Sequence, residues 1–88
     1  MIWAGDFNQH VSGPNHGGSA AKREALVRAL EGLGLVAWNR EAAHDAEGLR
    51  AIDLICGPRE LPVRAQGRIA ATREGVRMSD HAGYWVEI

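Results

Sequence analysis

Only one stretch of this sequence carries a helical period, and that limits the fold more than any other feature. Leu26, Leu30 and Leu33 fall at i, i+4 and i+7, with Val27 beside them. Lys22, Arg23, Glu24 and Glu31 lie mostly off that face. Ser19 is a suitable N-cap, and Gly32 and Gly34 supply a stop. Every other apolar run is short and bounded by glycine, proline or polar turn residues, as strands are. The chain therefore has one helix to cover whatever sheet it builds.

The strands are expected as follows. Residues 1–4 are apolar and run into Gly5-Asp6-Phe7-Asn8, a short buried strand ending in a polar turn. Residues 9–18 hold Ser12-Gly13-Pro14-Asn15 and Gly17-Gly18, which is loop chemistry. After the helix come a short strand at 35–38, a polar loop at 39–49 and a strand at 50–56 closed by Gly57-Pro58. A longer strand at 61–72 has a candidate bulge at Gly67, and 74–82 reads as loop. The last strand, 84–88, puts Tyr84, Val86 and Ile88 on one face. Strand, helix and then several strands imply an α/β or α+β fold with a largely antiparallel sheet.

Composition excludes several classes. With 88 residues the chain is one domain at most, and 45% hydrophobic with 24% charged residues is ordinary for a globular protein. The net charge of −1 is not that of a strongly basic nucleic-acid binder. Charge is uneven, though. Arg50, Arg59, Arg64, Arg68, Arg73 and Arg77 face only Asp53, Glu60 and Glu74 in that span, either a solvated strand face or a local patch for phosphate. Cys56 is the single cysteine, so no internal disulfide and no zinc pattern exist. No run approaches the ~20 apolar residues of a membrane helix, and no secretory leader is visible. A cytoplasmic protein is the default expectation.

Three polar positions are expensive. Asp6 and Asn8 follow an apolar strand with side chains on one side; an Asx-turn closing the strand is the structural alternative. Asp53 interrupts Ile52-Leu54-Ile55, where an unpaired carboxylate is costly and needs an imidazole, an arginine or a metal. Asp80 and His81 precede the last strand in Ser79-Asp80-His81, as a divergent pair around a small site or as a turn. His10, His16 and His44 sit in polar loops and read as surface residues. Trp3, Trp38 and Trp85 read as core.

In that order, Trp3-Ala4-Gly5-Asp6-Phe7-Asn8, then Ile52-Asp53-Leu54-Ile55, then Ser79-Asp80-His81 before a closing strand resembles the endonuclease/exonuclease/phosphatase family, the group with a DNase I-like fold. The likeness covers nearly the whole chain. It implies a four-layer α/β sandwich of two mixed sheets with outer helices, and Mg²⁺- or Mn²⁺-dependent hydrolysis of phosphoesters. By that likeness Asp6 and Asn8 orient the attacking water and stabilise the phosphate, and Asp80 helps hold the metal. His81 contacts the phosphate or moves a proton, and Asp53 fixes the imidazole and favours its charged form. The division of proton transfer between Asp6 and His81 stays open.

The departure is that the family's asparagine motif and principal metal-binding glutamate, both from its N-terminal half, are not found in these residues. Residues 1–88 are therefore expected to be the C-terminal part of such a domain, inactive alone. The other expectation is a non-catalytic module that binds a partner through its unpaired sheet. Expected partners are a phosphoester substrate, with nucleic acid as the default, and a second copy of the chain through exposed sheet.

Overall fold

A computed structural model describes residues 1–15, 19–44 and 48–88. Parts of the expected loops at 9–18 and 39–49, and with them His16, lie outside the described residues. The elements run β1 (Trp3–Asp6), α1 (Ala20–Gly32), β2 (Leu35–Ala37), β3 (Asp53–Pro58), β4 (Ala65–Ile69), β5 (Thr72–Arg73), β6 (Val76–Arg77) and β7 (Gly83–Glu87). The described residues form a small α/β domain with one helix and antiparallel strands, in sheets ordered β1-β3-β2, β4-β7 and β5-β6.

The helix begins where its cap chemistry dictates. Ser19 is extended and its side chain accepts from the Lys22 N–H. It ends at Leu33, and Gly34 follows at φ 69° with its N–H on the Glu31 carbonyl. The helix packs on β2. Leu30, Leu35, Ala37, Ala51, Leu54 and Cys56 form the core beneath it, with Phe7, Val11, Leu26, Ala42 and Tyr84 half-buried around them. Leu33, expected on the inner face, is half exposed, because the chain is already turning into β2.

Register sorts the central strand's side chains. Gly5 pairs with Leu54, and Trp3 and Ala37 both pair with Cys56, so these share the helix side. Ala4 pairs with Ile55 and Asp6 with Asp53 on the opposite side. β3 packs there against β7.

Several expectations are corrected. β1 is exposed along its length, since it is an edge strand paired only with β3. The strand expected from Arg50 starts at Asp53, and Arg50 makes only an isolated bridge to Ala43. β4 is shorter than 61–72, and Gly67 is not bulged. It pairs with Trp85 in unbroken register, and the Trp85 ring lies so close that a Cβ on Gly67 would meet it at 2.5 Å. The loop expected at 74–82 contains β6. It is reached through Glu74 and Gly75 at φ 52° and 76°, the paired positive values of a type I′ hairpin turn. Trp38 is buried against Gly57, but Trp3 and Trp85 are 41% and 44% exposed. No helix among the described residues is long and apolar enough to cross a membrane.

Candidate functional site

Asp6 and Asp53 oppose each other at the end of the β1–β3 ladder. The next hydrogen bond, Phe7 N–H to the Ile52 carbonyl at 2.9 Å, makes theirs a non-hydrogen-bonded pair. Such pairs bring Cα atoms to about 4.5 Å and point both side chains to one face. Two carboxylates placed this way repel, so the arrangement needs a cation.

His81 supplies it from the segment leading into β7. Its Nδ1–H donates to Asp53 Oδ2 at 2.6 Å; an ionised carboxylate only accepts, so the proton sits on Nδ1. Nε2 lies 3.9 Å from Asp6 Oδ2 and 4.0 Å from Asp80 Oδ2. The hydrogen bond and charge of Asp53 raise the His81 pKa above its usual value; burial opposes this weakly, and Asp80 and Asp6 add to the rise. The imidazole is thus biased towards its charged form.

The backbone of Asp53 is fixed by Asn39. This buried amide donates to the Asp53 carbonyl and accepts from the Ile55 N–H, both at 2.8 Å. It continues the outer ladder after β2 has ended. On the other strand, Asp6 Oδ1 accepts from the Asn8 N–H at 2.9 Å, and Asn8 adopts φ 52°. This is the Asx-turn the sequence allowed, and the second oxygen of Asp6 still faces His81. His81 itself is set by its N–H on Ser79 Oγ and by Arg77 holding the Asp80 carbonyl. Beside the carboxylates opens a cavity of about 200 Å³, lined by Ala4, Gly5, Ile55, Ala82 and Tyr84 among others.

The structure therefore brings Asp6, Asp53 and His81 together, with one ligand atom from each within 4.8 Å of the others. Asp80 adjoins them, but its carboxylate is 88% exposed. Asn8 joins through its backbone and is exposed. Of the two readings of the arginines in 50–77, three side chains show local structural contacts: Arg50 lies near Glu41, Arg68 donates to the Ala43 carbonyl and Arg77 to the Asp80 carbonyl.

A hard cation suits oxygen donors and keeps several waters. Asp6 and Asp80 offer such oxygens at the exposed side of His81, while Asp53 is engaged by Nδ1. Oxygens of that kind would suit Mg²⁺ or Mn²⁺ held partly by solvent and phosphate oxygens, and these residues do not by themselves complete a six-coordinate cage.

Three buried polar residues among those described depart from the sequence reading, Gln9 at 3% exposure and the two that follow, of which His10 was expected at the surface. His10 is 1% exposed and Asn39 equally so, although both lie in polar stretches. Comparison of the chain with protein-family models, with curated proteins and with solved structures gave no match.

Proposed function

We propose that Asp6, Asp53 and His81 are part of the active site of a metal-dependent phosphoesterase of the endonuclease/exonuclease/phosphatase type, acting on phosphodiester or phosphomonoester bonds. The observation that carries this reading is the 2.6 Å contact between His81 and Asp53, with Asp6 on the far side of the same ring. Residues from three distant segments converge on one point, and phosphoryl transfer requires charge neutralisation and positioning above all.

Roles follow from the placement of these groups around the His81 ring. His81, held by Asp53 and favoured in its charged form, would donate Nε2–H to a phosphate oxygen or to the leaving group. Asp6, an acceptor beside it, orients the attacking water and takes its proton. Asn8, one turn away, contacts the phosphate. Asp80 and Asp6 hold the cation, which would neutralise phosphate charge when bound. These donors leave most of a cation's coordination to water and phosphate oxygens, so hydrolysis by the 88-residue chain alone is expected to be negligible.

Mn²⁺ added to the isotope-labelled chain should broaden the His81 resonances selectively, and Asp6→Asn should abolish the broadening. Inorganic phosphate should then shift the same resonances. No selective broadening, or broadening unchanged in Asp6→Asn, would remove the metal-site reading. Rapid Mg²⁺-dependent turnover by the isolated chain would contradict the incompleteness.

A second reading rests on exposed apolar side chains. Met1, Ile2, Ile69 and Ile88 are more than half exposed, beside Trp3 and Trp85. The accessible surface of 5597 Å² exceeds the ~5,000 Å² expected of a monomer of this mass. On this reading the chain pairs with a second copy or another partner through its open strands. Sedimentation showing a monomer at every concentration would exclude the self-pairing.

A further inference from the structure

The β1–β3 ladder keeps one register from Trp3↔Cys56 to Asp6↔Asp53, and Phe7 continues it on Ile52. Carried two residues further, that register would set the Gln9 N–H against the Arg50 carbonyl. It is not carried further, because Asn8 turns the chain at φ 52°. The Arg50 carbonyl instead pairs with His10 Nδ1 at 2.6 Å. A carbonyl cannot donate, so His10 carries its proton on Nδ1. The imidazole stands where a strand N–H would have stood.

His10 is also tied to the helix. Its carbonyl accepts from Gln9 Nε2 at 2.7 Å and from Arg23 Nε at 2.9 Å. Gln9 Oε1 accepts from the N–H of Ser19, the helix cap. Gln9 and His10 are 3% and 1% exposed. The Asp6–Asn8 turn is thereby clamped between two fixed points, the Phe7–Ile52 bond before it and His10 after it.

We infer that His10 is a positioning residue: its imidazole replaces the missing ladder bond and so holds the Asp6–Asn8 turn out of the strand, facing His81. The functional part of this inference rests on the reading of Asp6 as a site residue. The structural part does not.

The test uses the whole chain and three variants. His10→Asn places an amide nitrogen near the Nδ1 position; His10→Gln moves it one bond further; His10→Ala removes it. Hydrogen exchange at the Asn8 amide, which Asp6 holds, should quicken about five- to tenfold in His10→Ala and His10→Gln, as loss of one hydrogen bond implies. It should stay near wild type in His10→Asn. Mn²⁺ affinity, with the ion alone as probe, should follow the same order, while the His81 titration stays unchanged in all. If His10→Ala does not fold, the Asn–Gln pair decides. Equal Asn8 exchange across the folded variants, or His10→Asn behaving as His10→Gln, overturns the inference. If wild type binds no Mn²⁺, the phosphoesterase reading falls and the exchange data alone judge the turn.

Discussion

The sheet β1-β3-β2 under α1 and the strand pair β4-β7 with its β5-β6 hairpin are held by different amounts of the same force. The first contains the whole core cluster, from Leu30 to Cys56. The second buries only Ala71 and Ala82 among its apolar residues, and exposes Ile69, Val76, Met78 and Ile88 by half or more. Burial of apolar surface is the main stabilising term, so the first region carries more of the stabilising burial, and the second packs on it through β3 and β7. The candidate site straddles this boundary. Asp6 and Asp53 stand on the firm side and His81 on the loose side, so the site's geometry reports how well the two are docked.

The largest effect should come from the core. Leu54 is 1% exposed, and Leu54→Ala should cost about 2–5 kcal/mol, a large part of the stability of so small a domain, read by urea melts. Ile69→Ala, at 63% exposure in the other region, should stay within about 0.5 kcal/mol. Similar costs at the two positions would erase the contrast.

Two glycines sharpen it. A Cβ on Gly57 would meet the ring of buried Trp38 at 2.0 Å, and one on Gly67 would meet Trp85 at 2.5 Å. Gly57→Ala should destabilise by about 1–3 kcal/mol, because Trp38 has nowhere to go. Gly67→Ala should cost less, since the half-exposed Trp85 can swing outward. The reverse order in thermal melts would mean that the β4-β7 pair is the more rigid.

A smaller effect lies at the boundary itself. At a pH above the folded His81 pKa the ring is neutral and the opposed carboxylates repel unscreened, so Asp6→Asn should stabilise there by roughly 0.2–1 kcal/mol. Its amide oxygen still accepts from the Asn8 N–H. Near pH 6 the gain should shrink, because the charged His81 then attracts Asp6. Asp6→Asn destabilising at both pH values would show that the repulsion is not felt. Cys56 offers an independent probe of the firm side: burial pushes its thiol up to about 11, so thiol reagents should modify it only as that region opens.

Legibility in the sequence followed the range of the interactions. The helix was readable because Ser19 and Gly34 act within one turn of themselves. Asp53 stood out because a carboxylate between Ile52 and Leu54 demands a partner, and His81 is that partner in space. The buried His10 and Asn39 were not readable. Each replaces a backbone donor at one point of β3 or its approach, and that need exists only once the register of β1 and β2 is fixed. Trp3 and Trp85 misled for a related reason: their size predicts burial, but each lies on a strand with a single hydrogen-bonded neighbour among the described residues, and they stay 41% and 44% exposed.

His81 also carries the pH dependence. A raised folded pKa means that the Asp53–His81 pair contributes its full stability below about pH 6.5 and loses it as pH rises through the folded value. The most direct test is an NMR titration of the His81 ring in wild type and in Asp53→Asn. A midpoint above the ordinary histidine value in wild type, falling back towards it in the variant, is the predicted result. An ordinary midpoint in wild type, or one indifferent to the substitution, would contradict the claim that these segments meet in one electrostatic site.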